Sequence, residues 1–211
     1  MKLLKIPNQI IKSKLTPLNT AKVDGIAFHH MANKTWHVKD VEYCHVYSNG
    51  WAAIGYNYWI DFEGNIYIGR GLNKGAGIEN HNSHVVSVGL QGDFTTQTPT
   101  NAQYKACAEI VEYLKSELPN IKHIGKHNDY NATACPGKNF DINKVLNYQE
   151  EKEMEEKIYN WVTACPEWSQ PYVHKALELG IIKGDTQGNL NLTDDKIWCL
   201  VVILRATGKM E

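Results

Sequence analysis

The sequence predicts an α/β protein: a mixed central β-sheet flanked by helices over residues 1–147, then a small helical domain over residues 158–211. Three observations lead there. Short apolar, β-branched and aromatic runs alternate with segments of helical periodicity, the pattern of a sheet whose faces are covered by helices. The stretch YQEEKEMEEK at 148–157 is charged and nearly free of apolar residues, which marks a linker or a solvated helix. Beyond it, two amphipathic segments joined by a turn-rich connection suggest a helix pair.

The elements follow in order. Gly25-Ile-Ala-Phe-His-His30 is a short apolar run ending in two histidines, and it reads as a buried strand. Val38, Val41 and His45 fall on one face of a helix. Gly55 to Phe62 and Asn65 to Ile68 are strand-like stretches separated by Glu63-Gly64, a hairpin signal. Val85 to Gln91 is a further strand. Thr100 and Gln103 have the spacing of a capping box, and the helix they start carries Tyr104, Cys107, Ala108 and Val111 along one stripe before Pro119 stops it. Residues 121–126 supply one more strand. In the C-terminal segment, Pro171 to Leu179 reads as a helix closed by Gly180. Lys183 to Asn189 is rich in turn formers. Thr193 is placed to cap a last helix, with Asp194 and Asp195 favourable at its positive end. Ile197, Leu200, Val201 and Leu204 give that helix an apolar stripe. So small a helix pair buries little by itself and is expected to dock on the first domain, a second chain or a target.

Composition narrows the function classes. Lys and Arg total 22 against 23 Asp and Glu, a net charge of -1, so there is no electrostatic footprint of a nucleic-acid binder. No apolar run is long enough for a membrane span. The start, MKLLKIPNQIIKSKL, interrupts its apolar residues with Lys5, Pro7, Asn8 and Gln9, so it makes a poor signal peptide and points to synthesis in the cytoplasm. Cys44, Cys107, Cys135, Cys165 and Cys199 are odd in number and scattered, without a CxxC pair, which argues against a disulfide framework.

Eight of the nine histidines lie between positions 29 and 127. His127 and Cys135 stand eight apart within HNDYNATACPG, and His29 ends the first predicted strand. Two imidazoles and a thiolate form a donor set for zinc, with the fourth tetrahedral position open to water. Spacing alone also admits a core cysteine near a surface histidine.

FHH at 28–30, NGWAAIGYNYWID at 49–61, GNIYIGRG at 64–71, SVGLQGDF at 87–94 and KHNDYNATACPG at 126–137 occur in one order. Together, over residues 20–147, they resemble the zinc-dependent N-acetylmuramoyl-L-alanine amidases of the phage lysozyme and peptidoglycan-recognition protein superfamily. The resemblance implies that fold, Zn2+ as cofactor, and His29, His127 and Cys135 as its ligands. It implies catalytic roles for Tyr56, the Tyr of GYN, and for Thr133, two residues before the Cys, where family members carry Lys or Thr. It implies hydrolysis of the amide between the muramic acid lactyl group and L-alanine of peptidoglycan. Tyr56 also reads as packing on a strand, and Thr133 as a cap of local backbone. His30 is expected on the opposite face of its strand from His29. Gly77 stands where relatives carry the His of a GAH motif, and His81 or His84 lies either near the groove or in a solvated loop.

ALELGIIKGDTQGNLNLTDDK, followed by an apolar helix containing Arg205, resembles a single S-layer homology motif. That resemblance implies binding to secondary cell-wall polysaccharide, and a lone copy implies docking or self-association as a homo-oligomer. A helical hairpin that merely stabilises the fold is the plainer alternative. Trp161, Trp168 and Trp198 would belong either to its core or to a sugar-binding surface. The combined expectation is an endolysin of a phage or prophage of a Gram-positive host, acting on the wall after release. The alternatives are a peptidoglycan-binding protein without turnover and a cytosolic amidase that recycles muropeptides.

Overall fold

The computed structural model describes residues 1–148 and 157–210, which fall in two compact units, Met1–Gln149 and Glu150–Glu211. Most of the charged stretch at 148–157 lies outside the described residues.

The first unit is built on a six-stranded mixed sheet: β1 (Leu3–Lys5), β2 (Gly25–His30), β3 (Tyr58–Ile60), β4 (Ile66–Ile68), β5 (Val85–Leu90) and β6 (His123–Lys126), in the spatial order β1-β4-β3-β5-β2-β6. Only β3 and β4, the hairpin turned by Glu63-Gly64, run antiparallel; every other neighbouring pair is parallel. β2 and β5 occupy the centre, and all twelve of their residues are buried. Continuous apolar runs are what a strand covered on both faces requires.

Against one face of the sheet packs α2 (Asn101–Glu117), with α3 (Ile142–Leu146) beside it. Its cap is reciprocal: Gln103 N–H donates to Thr100 Oγ1 at 3.0 Å, and Thr100 N–H donates to Gln103 Oε1 at 3.1 Å. Both side chains also tie the helix to the sheet region, Thr100 Oγ1 donating to the Phe62 carbonyl and Gln103 Nε2 to the Gln91 carbonyl. The buried stripe contains Tyr104, Cys107 and Val111 as expected, but Ala108 is half-buried, and Ala106, Ile110 and Leu114 complete the stripe. The early helix is α1 (Val38–Tyr43), continued by a wider turn over Cys44–Ser48, with Val38, Val41 and His45 all buried.

Two differences from the sequence reading concern strands. The start of the chain forms β1, a three-residue strand parallel to β4 at the sheet edge. The segment 55–62 pairs only over Tyr58–Ile60, because side chains engage the backbone around its first residues. Gly55 N–H goes to His45, and the buried Asn57 binds the carbonyls of Gly71 and Asn73 and the amide of Ser87.

The second unit has its own core, formed by Tyr159, Cys165, Tyr172, Val173, Ala176 and Leu192 with one face of the last helix. Its helices are α4 (Gln170–Glu178) and α5 (Asp194–Ala206). Gly180 adopts φ +67° just beyond α4, a conformation that favours glycine. Ile197, Leu200, Val201 and Leu204 all turn inward. Trp161, Trp168 and Trp198 are each about half exposed and outside that core, with the rings of Trp168 and Trp198 4.9 Å apart. Among the described residues, no helix is long and apolar enough to cross a membrane.

Candidate metal centre

The sheet fixes the first donor. Alternation along β2 sends His29 and His30 to opposite faces. His30 accepts the Phe94 N–H on Nδ1 at 3.0 Å and lies 3.7 Å from the Asp93 carboxylate. His29 faces the other way, opposite Gly89 of β5. Glycine is required at position 89 because the Tyr56 ring lies against it: a Cβ there would stand 2.6 Å from Tyr56 Cδ2. The Tyr56 ring is thereby held beside His29, with centroids 5.3 Å apart.

The loop after β6 brings the other two donors. His127 opens a short turn (His127–Asp129), and its ring centroid is 4.5 Å from that of His29. Cys135 returns to this turn through its carbonyl, which accepts the Asn128 N–H at 3.1 Å. Gly137 follows at φ +96°, its α-carbon so close to the Phe94 backbone that a Cβ would fall 2.4 Å from it. Cys135 Sγ ends 3.7 Å from Nδ1 of His29.

His29, His127 and Cys135 are thus brought together, each offering a ligand atom within 4.8 Å of the others. A tetrahedral ion bonded to nitrogen at about 2.05 Å and sulfur at about 2.3 Å, the distances zinc takes, separates the two donors by about 3.6 Å. The 3.7 Å between sulfur and Nδ1 fits that requirement. Protonation is suitable as well. Burial, then His127 and His30, hold the His29 pKa well below its ordinary value, and burial lowers that of His127, so both imidazoles are neutral. Burial pushes the Cys135 thiol up to about 11, so its thiolate is favoured only with a cation beside it. His29 Nε2 is buried without a hydrogen-bond partner.

The three donors line a cavity of about 480 Å³, together with Tyr56, Thr133 and His45. Burial, with smaller contributions from Cys135 and Cys44, raises the Tyr56 pKa, so its hydroxyl stays protonated. Thr133 Oγ1 accepts the Cys135 N–H at 3.2 Å and is at the same time exposed to the cavity. His45 is a cavity residue the sequence reading did not single out. Its helical spacing places it only on one face with Val38 and Val41. Neither His81 nor His84 lines the cavity. They contact each other at 3.1 Å, and His84 reaches Asp24 at 2.8 Å.

Residues 19–138 match the family described as Amidase_2, N-acetylmuramoyl-L-alanine amidase. The peptidoglycan-recognition protein SC2 of Drosophila simulans is 34% identical over 105 residues, 48% of this chain and 57% of that protein. An N-acetylmuramoyl-L-alanine amidase of Sus scrofa is 30% identical over 47% of this chain and 17% of its own length. The chain spans about half the length, or less, of the curated relatives it matches. Among solved structures, the amidase LysC of Clostridium intestinale URNW aligns with TM-score 0.63 at 24% identity, over 69% of this chain and 95% of that one. Wild-type Drosophila PGRP-LB aligns with TM-score 0.58 at 26% identity, over 65% and 89%. With a match spanning more than half its residues, the chain belongs to the N-acetylmuramoyl-L-alanine amidase family.

Proposed function

We propose that this protein is a zinc-dependent N-acetylmuramoyl-L-alanine amidase that cuts the amide between the muramic acid lactyl group and L-alanine of peptidoglycan. The observation that carries this reading is the convergence of His29, His127 and Cys135 in the wall of one cavity. When bound there, zinc would supply an acidified water and polarise the scissile carbonyl.

The chain's own groups account for the remaining requirements. His29, His127 and Cys135 hold the ion, the two imidazoles in their neutral form. Tyr56, kept protonated by burial, donates a hydrogen bond to the oxygen that becomes negative as the carbonyl carbon turns tetrahedral. Thr133 uses a lone pair on the Cys135 amide, which leaves its hydroxyl hydrogen for the same oxygen. Overall the C–N bond breaks, the hydroxyl stays on the lactyl carbon, and a proton passes to the alanine nitrogen.

The second unit is proposed to hold the enzyme on the wall by binding secondary cell-wall polysaccharide. Its S-layer-homology-like sequence and its exposed tryptophans support this. With such an anchor, an endolysin of a phage or prophage infecting a Gram-positive host is the role we favour. The resemblance to peptidoglycan-recognition proteins supports one competing reading, recognition of peptidoglycan without turnover.

Digestion of purified cell walls with the zinc-supplemented protein decides between them. New alanine amino termini without new reducing sugar ends are expected. Reducing ends alone would make it a glycosidase, and cosedimentation with walls without any release would make it a binding protein.

A further inference from the structure

The His29 ring has two nitrogens with different surroundings. Nδ1 faces the Cys135 sulfur at 3.7 Å, whereas Nε2 is enclosed by protein and has no hydrogen-bond partner. A second buried side-chain polar atom on the same stretch of sheet is in the same position: Ser87 Oγ, wholly buried and likewise unpartnered. The sheet puts the two on one face. In the parallel register of β2 and β5, His29 lies opposite Gly89 and Ala27 opposite Ser87, so His29 and Ser87 are diagonal neighbours.

Gly77 stands between them. A Cβ at that position would lie 2.6 Å from Ser87 Oγ and 3.4 Å from His29 Nε2. Both orphaned atoms therefore lie against the same glycine, and a side chain at residue 77 would crowd them. If Nδ1 serves the metal, the ring hydrogen resides on Nε2 and needs an acceptor inside the protein. Ser87 Oγ, on the same face and against the same glycine, is placed to be that acceptor by a small rotation of its hydroxymethyl group.

We propose that Ser87 is a positioning residue: it takes the Nε2–H of His29, so that the ring presents Nδ1 to the metal in one tautomer and one orientation. Gly77 keeps the space for that bond. The inference rests on the zinc reading above and deepens it. It also gives Ser87, a hydroxyl buried in an otherwise apolar stretch of β5, a reason to be polar.

The test is zinc binding measured by chelator competition, with the absorption spectrum of the cobalt-substituted protein as a second readout. Ser87→Ala removes the acceptor and little volume. It is expected to weaken zinc binding about 10- to 100-fold, the usual cost of losing such a partner, and to shift the cobalt bands. The metal-free melting temperature is expected to change little. Gly77→Ala retains the hydroxyl but crowds the space, and is expected to weaken binding as well. It serves as the deciding variant if Ser87→Ala does not fold. Wild-type zinc affinity and an unchanged cobalt spectrum in the folded variants would overturn the inference and leave the amidase reading intact. A wild-type protein that takes up no zinc would overturn the metal reading itself, and the inference with it.

Discussion

The amide of Gly55 donates to Nδ1 of His45 at 3.0 Å, tying the loop that leads to Tyr56 to the helix that follows β2. The bond fixes the His45 tautomer with its hydrogen on Nε2, and burial, then Arg70, pushes the pKa down to about 4. In the unfolded chain the same group titrates near 6.5. Between these values the unfolded state binds the extra proton, so this contribution to stability is complete above pH 6.5 and is lost as the pH falls towards 4. The loss is roughly 3 kcal/mol at the acid end. Denaturant titrations at pH 7 and pH 4.5 are expected to show a smaller acid loss in His45→Gln than in the wild type. Parallel curves would mean that the buried imbalance lies elsewhere.

Cys135→Ser is expected to abolish release of alanine amino termini and to let zinc dialyse away. The fold should survive, since Cys135 is only partly buried and its backbone bonds to Asn128 and Thr133 remain available. Metal analysis after dialysis and far-ultraviolet circular dichroism check both halves. Stoichiometric zinc with full activity would remove Cys135 from the ligand set.

Tyr56→Phe keeps the ring that packs on Gly89 and His29 and deletes only the hydroxyl. Turnover is expected to fall about 10²- to 10³-fold, the range for losing one oxyanion donor, with zinc content unchanged. Single-turnover digestion of a soluble muropeptide measures this directly. An unchanged rate would leave Tyr56 as packing alone.

Thr100→Ala breaks the cap of α2 and orphans the Phe62 carbonyl in one change. A loss of about 1–2 kcal/mol in unfolding free energy is expected. Neither zinc content nor turnover per folded molecule should move, because the cap residues do not line the cavity.

Deleting residues 150–211 is expected to weaken cosedimentation with intact walls while hydrolysis of soluble fragments persists. Equal wall affinity in the shortened protein would refute the anchor.

The centre of the fold was legible because β2 and β5 are largely apolar runs, broken only by His29, His30 and Ser87, and α2 because its cap and stripe are local signals. The juxtaposition of His29 with Cys135 could be inferred only through the motif order, since pairing alone cannot show that residues 106 positions apart meet. β1 is not legible because two half-buried leucines and an exposed lysine at a sheet edge carry no alternation to read. His45 was hidden for another reason: helical spacing identifies a buried face without saying whether it borders packed side chains or a cavity. Ser87 was hidden by its neighbours, because a lone hydroxyl in an apolar strand gains meaning only when the atom facing it is known.

The distance along the chain between the donors has a consequence for synthesis. His29 emerges from the ribosome more than a hundred residues ahead of Cys135, and His127 reaches it at the end of β6, which pairs with β2. A truncated translation product ending before this loop would carry most of the sheet and no complete ligand set. Assembly of the donor set is thus tied to the order of the strands, and completing it waits on the last strand of the first unit.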